Sequence, residues 1–396
     1  MPTKNNQNFF IPVFRLPFRP FFLAAGIFST LIIALWGLYW SGSFILKPQG
    51  GIIWWHGHEM LFGFSGAVLV GFLLTAAKNW TGLPGMGGWP LVTLFLFWVC
   101  ARASLFFHHE IALVTACIFE AVFWGYACLI YSIMIIRTKL WTNIGFSIVL
   151  IGMGSFSILS ILSTISGEHL IDYLHTAVAF FILVITVIGG RIIPFFTASA
   201  TKTEKVKPNP IIELMTIILC IILLAWTIIY GLAKTNQFLG TGLLFLVLMQ
   251  IIRVARWPIR LSLRNPMLWS LYLGYGALIM GLALLASYHY GFINNVSAAI
   301  HTITLGTIGL MILTMMSRVS MGHTGRAIIA SNLLVLAFIL IFVAMLIRVF
   351  IPLFGFQQYL MLAYAVSAGL WVIAFSIWLV KFFPILTRAR TDGLPG

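Results

Sequence analysis

The chain has 396 residues, 61% of them hydrophobic and only 8% charged, against roughly 25% charged in ordinary soluble domains. Apolar runs of about 20 residues recur from end to end, which points to a polytopic α-helical membrane protein and excludes a spanning β-barrel with its short alternating segments. The net charge of +15 sits in short loops between the runs, so it orients a membrane protein and does not indicate a nucleic-acid partner.

The opening "MPTKNNQNFFIPVFRLPFRP" is polar and Pro/Arg-rich, without the form of a cleavable signal peptide. Twelve spans are predicted, at 21–40, 57–77, 89–107, 110–136, 142–165, 171–190, 211–231, 237–255, 267–289, 297–317, 329–350 and 357–383. Breakers fit this division: "TGLPGMGGWP" separates the second and third spans, "TKTEKVKPNP" the sixth and seventh, "RWPIRLSLRNP" the eighth and ninth. Of 23 Lys and Arg residues, 19 fall on the side of the N-terminus and 4 on the other. That bias places both termini in the cytoplasm. The four cysteines lie inside apolar runs and read as small buried hydrophobes, and the absence of C-x-x-C-H excludes a covalently attached c-type haem.

The mouth of the second span carries "WWHGHEMLFGF", with His56, His58, Glu59 and Met60 in five residues. Residues i and i+2 on a helix point about 200° apart, so His56 and His58 address two flanks of that span, unless His56 folds back from the entry turn. Arg102 ends the third span, His108 and His109 occupy the following turn, and Glu120 lies within the fourth. A charge inside a span is a functional candidate, here with an Arg102 ion pair as the equally strong alternative. His169 and His175 stand at the start of the sixth span, His289 at the end of the ninth, and His301 at the start of the tenth. Eight of nine histidines therefore map to the outer layer, with only His323 on the cytoplasmic side. Arg102 and Arg348 lie near that layer, where a guanidinium can hold a haem propionate or simply anchor the interface. Arg191 and Arg318 close their spans roughly 24 Å from the histidines and read as orientation signals or cytoplasmic contacts.

A faint repeat runs through the spans. "HTAVAFFILVITVIGGR" from His175 and "HTITLGTIGLMILTMMSR" from His301 each open on His-Thr and end on an arginine, and "HEMLFGFSGAVLVGFLLTAAK" from His58 is a looser copy. The expected architecture is a single membrane domain over 1–396, made of three four-helix units (21–136, 142–255 and 267–383) about a pseudo-threefold axis. A single interfacial histidine is most often a polar group reaching the interface or a cap. The shared depth of His58, His175 and His301 shifts these three toward metal ligands, with His56 for a second metal and Glu59 as a partner for an imidazole nitrogen. The second and tenth spans can pair across one haem, leaving the sixth for another site. Met60 reads as packing.

Four motifs in order carry a resemblance: "WHGHEMLFGF" with "GFLLTAAKNWTG", then "GGRIIPFFT", then "HTITLGTIGLMILTMMSRVSMGHTGR". Together they resemble the NnrS family of bacterial inner-membrane proteins over nearly the whole chain. The resemblance implies a twelve-span protein carrying haem b and copper and linked to nitric oxide metabolism and nitrosative stress. The family motif falls here on His56, His58, Glu59, Met60, Arg191, Pro194, His301, Arg318, His323 and Arg326, and His175 fits the histidine opening the sixth span. A more distant likeness is to haem-copper oxidases and nitric oxide reductases. Their ligands on spans two, six and ten have counterparts, but the seventh span has no histidine, so an oxidase-type binuclear centre is not expected.

The expected function is binding or turnover of nitric oxide at a haem near the periplasmic face. An oxidoreductase is the activity this makes available, its electrons coming from a quinone or a redox partner. A haem or copper carrier or insertion factor is the first alternative, and a cofactor-free transporter or sensor the second.

Overall fold

A computed structural model describes residues 11–107 and 109–394. Among them every regular element is helical. The long helices are α1 (Phe18–Trp40), α2 (Gly51–Thr81), α3 (Trp89–Ser104), α4 (Glu110–Arg137), α5 (Gly145–Ser166) and α6 (Asp172–Thr201). They continue with α7 (Pro210–Tyr230), α8 (Gln237–Ala255), α9 (Pro266–His289), α10 (Val296–Gly322), α11 (Asn332–Leu353) and α12 (Leu360–Thr387). Eleven of these helical stretches are long and apolar enough to cross a membrane, and α3 is apolar but only 16 residues long. At about 1.5 Å per residue α3 reaches roughly 24 Å, short of a full hydrocarbon core.

Local chemistry sets the helix ends. Asn209, Asn236, Asn265, Asn295 and Ser331 cap α7 to α11 by accepting from backbone N–H groups of the first turn. Pro210 and Pro266 occupy the first helical position, where no N–H is needed. The largest departure from the predicted boundaries is in α6, which does not stop near Arg191 but continues through Pro194 to Thr201. An apolar bundle tolerates the lost backbone bond because the chain has no water to turn into.

The helices pack in sequence order around the bundle, and α12 lies along α1 to close the ring. At one end Arg19 donates to the carbonyls of Leu386 (3.0 Å) and Arg388 (2.8 Å), and Arg390 donates to the carbonyl of His323 (3.0 Å). These bonds tie the start of α1, the end of α10 and the end of α12 together. α2 is the most enclosed helix, 83% buried over its most apolar stretch, whereas α7 is only 22% buried and faces outward. Residues of α2, α6 and α10, with Phe22, line one apolar cavity of about 90 Å³ along the bundle centre.

Two of these central helices share a distortion. The chain is π-helical over Glu59–Ser65 in α2 and over Thr302–Gly309 in α10. Each wide stretch begins on the residue after a histidine, His58 or His301. Gly66 and Gly309 end or follow these stretches, eight residues beyond their histidines. A Cβ there would meet the indole of Trp124 on α4 at 2.9 Å or of Trp371 on α12 at 2.6 Å. Such wide turns insert an extra residue and occur often at functional sites.

Candidate functional site

At the end of the bundle away from the termini, Gly57 separates His56 from His58 and faces α6. A Cβ on it would sit 2.6 Å from Leu174, the neighbour of His175, so this glycine permits the close approach of α2 and α6. The two histidines that flank it diverge, as their spacing on a helix requires.

His56 turns toward α1, α10 and α11. Its ring stacks on Trp36 with centroids 4.1 Å apart and planes 17° apart. On α10 the Nδ1 of His301 lies 2.8 Å from the carbonyl of Ser297, one turn earlier, and 3.1 Å from its hydroxyl. That bond fixes Nδ1 as the protonated nitrogen and leaves Nε2 with its lone pair for another partner. Arg348 on α11 donates to the Ser297 hydroxyl at 3.2 Å and lies 4.0 Å over the ring of Tyr364 on α12. His301 lies within electrostatic reach of Arg348, His56 and His175. Among the described residues the buried atoms His56 Nδ1, His175 Nδ1 and Arg348 Nη1 have no hydrogen-bond partner. Arg348 is 7% exposed and forms no ion pair among the described residues. A buried cation without a counter-ion is costly; the half-buried imidazoles of His56 and His301 lie within its electrostatic reach, and with the buried His175 near His301 they offer a donor set for a metal-bearing group. The described residues hold no group of three His, Cys, Asp or Glu side chains placed to grip one ion. The imidazoles stand near one another without converging on a point.

His58 turns the other way, into a chain of buried hydrogen bonds. Its Nδ1 donates to Glu59 Oε1 at 3.1 Å and its Nε2 accepts from the hydroxyl of Ser157 on α5 at 3.3 Å. Arg102 on α3 reaches Glu59 Oε1 at 2.9 Å and forms an ion pair with Glu120 on α4. Trp124 donates to the second oxygen of Glu120 at 2.7 Å. His58, Glu59, Arg102 and Glu120 are 0%, 0%, 3% and 1% exposed. Two carboxylates thus share one guanidinium in a buried cluster. Both ring nitrogens of His58 are thus engaged, whereas Nδ1 of His56 and of His175 has no hydrogen-bond partner among the described residues. The ion pair of Glu120 with Arg102, one of its two readings from sequence, is present.

The remaining residues singled out from sequence lie apart from these groups. Arg191 donates to Asn143 Oδ1 at 2.8 Å. Arg318 donates to the Met267 carbonyl at 3.2 Å and stacks 4.0 Å over Phe196. His323 packs against Phe18, and burial, reinforced by Arg390, Lys78 and Arg19, holds its imidazole below the usual histidine range. His169 pairs with Asp172, His109 caps α4, and His289 accepts from the backbone of Asn236. His108 lies outside the described residues.

A third buried cluster was not singled out from sequence. Arg253 on α8 forms an ion pair with Glu213 on α7 and donates to the Thr186 carbonyl (2.7 Å) and the Tyr275 hydroxyl (2.9 Å). Tyr275 in turn donates to Gln250 at 2.6 Å. The legible signal was a Gln and an Arg one turn apart inside an apolar run. Ser297, four residues before His301, was readable in the same way. Trp36 and Tyr364 were not, because nothing in an aromatic-rich chain distinguishes them.

A comparison with protein-family models matches residues 12–390 to the family described as NnrS protein, and the chain belongs to that family. No match is found among curated proteins.

Proposed function

We propose that this protein binds haem b and copper in a bacterial inner membrane and that it binds or turns over nitric oxide at a haem near the periplasmic face. The observation that carries this reading is that His56 and His175, each with a partnerless Nδ1, lie within electrostatic reach of His301, while the uncompensated Arg348 lies within reach of His56 and His301. Three imidazoles that neighbour one another without forming a one-ion site match a planar macrocycle, or two separate metals, better than a single copper. In this reading one of the three imidazoles would hold the haem and leave its iron open to a diatomic ligand, another would serve copper, and Arg348 would pair with a haem propionate. The bound haem supplies an iron that coordinates a diatomic ligand.

The chain's own residues do the rest. Ser297 locks the tautomer of His301, and Trp36 clamps the plane of His56. The cavity between α2, α6 and α10 is almost wholly apolar, a path suited to a small uncharged molecule and closed to ions. On the opposite flank of α2 the His58–Glu59–Arg102–Glu120 chain is a buried network of ionisable side chains. The loops rich in Lys and Arg support a cytoplasmic position for both termini. Electrons come from a quinone or a membrane redox partner. The matching π-helical stretches in α2 and α10, and the meeting of α2, α6 and α10 at one cavity, favour three four-helix units about a pseudo-threefold axis.

The test is optical. Purified, reduced protein titrated with nitric oxide is expected to shift a haem absorption band. A colourless protein with no bound iron would favour the transporter or sensor reading, and a haem spectrum indifferent to nitric oxide would favour the carrier.

A further inference from the structure

A second cavity, of about 240 Å³, lies at the end of the bundle that holds the termini, between α6, α7 and α8. It is independent of the histidine site. Five cations line it: Arg191, Lys205, Lys207, Arg253 and Arg256. The single carboxylate on its wall, Glu213, is already bound by Arg253. None of the other four cations forms an ion pair among the described residues. Their recorded partners are neutral: Asn143 for Arg191, the Lys207 carbonyl for Arg256, and the face of Phe195 for Lys205. Positive loops alone do not require this. Orientation signals are satisfied by cations spread into solvent, whereas here four surround one concavity whose inner wall is apolar, with Val187, Ile212 and Trp257.

The geometry points to a binding site for the phosphodiester headgroup of an anionic phospholipid. The charge calls for a phosphate, because oxygens of a singly charged diester satisfy several guanidinium and ammonium donors at once. A lipid is favoured over free phosphate by what lies below the opening. The outward side of α7 exposes Leu214, Ile218 and Ile221, and that of α8 exposes Leu248 and Ile251. These faces form an apolar track on which acyl chains can lie while the headgroup sits among the cations. The exposed ends of Lys205, Lys207 and Arg256 can close on it without repacking the bundle.

The test uses the full chain purified in detergent and native mass spectrometry with added phosphatidylglycerol or phosphatidylcholine. Retention of phosphatidylglycerol over phosphatidylcholine is expected. The triple variant Lys205→Gln, Lys207→Gln, Arg256→Gln should bind phosphatidylglycerol more weakly by about fivefold per charge, on the order of a hundredfold in all. A charge-matched control, Lys139→Gln, Arg260→Gln, Arg264→Gln, removes cations of the same end that do not line the cavity and should leave binding intact. Equal retention of the two lipids, or equal losses in both triple variants, would overturn the site. Full protection of the protein against heat by inorganic phosphate alone, with no further gain from the lipid, would overturn the lipid as its occupant.

Discussion

Replacing Arg102 by Met tests whether the buried chain on the His58 flank is held by charge balance. Arg102 is 3% exposed and stands between Glu59 and Glu120, themselves 0% and 1% exposed. Met keeps most of the volume and removes the guanidinium that alone, among the described residues, pairs with these two carboxylates. Removing one partner of a buried ion pair costs about 3–5 kcal/mol, because the remaining charge is stranded. Two carboxylates are stranded here, though protonation relieves part of the cost, so about 4 kcal/mol is expected. Adding Glu59→Gln and Glu120→Gln removes both stranded charges. The new side-chain amides keep a carbonyl oxygen that can still accept, the first from His58 and the second from Trp124, so the triple variant should recover more than half of the loss. The assay is the folded fraction after heating in detergent, read by size exclusion. A single variant as stable as the wild type, or a triple variant no better than the single, would refute the argument.

Other expectations follow from particular contacts. Gly57→Val places a branched side chain against Leu174, and overpacking of this kind costs about 1–3 kcal/mol; a thermal melt should fall accordingly, and an unchanged melt would show that α2 and α6 are not in close contact there. His323 has a folded pKa held down by burial and by Arg390, Lys78 and Arg19. Its neutral form therefore supports the fold fully above the unfolded value of about 6.5, and that support is lost as pH falls from there through the lowered folded value. His323→Gln should flatten the stability profile on the acid side, measured as melting temperature against pH; a profile as steep as the wild type's would contradict the assignment.

The helical membrane class was readable because hydropathy is a long-range, low-resolution signal. Breakers such as "TKTEKVKPNP" placed most helix ends, and α6 escaped because Pro194 ends helices in water but not within a bundle. The site was readable only to the level of residue type and depth. The spacing of His56 and His58 said that they diverge. It did not say which of them meets α10, because that depends on the rotation of α2, which Gly57 and the indole of Trp124 settle through contacts distant in sequence. The π-helical stretches after His58 and His301 left no trace beyond a glycine eight residues on. Glu120 and its ion pair with Arg102 were legible from a charge in each of two neighbouring apolar runs, while the second partner of Arg102, Glu59, needed the packing of α2 on α3.

The most direct measurement is the reduced-minus-oxidised absorption spectrum, with iron and copper content, of the wild type and of His56→Ala, His175→Ala, His301→Ala and His58→Ala. The account predicts that each of the first three variants loses haem absorbance or copper, while His58→Ala, whose ring nitrogens are bound to Glu59 and Ser157, retains the metal content of the wild type. Full haem and copper in the first three variants, or loss confined to His58→Ala, would contradict it.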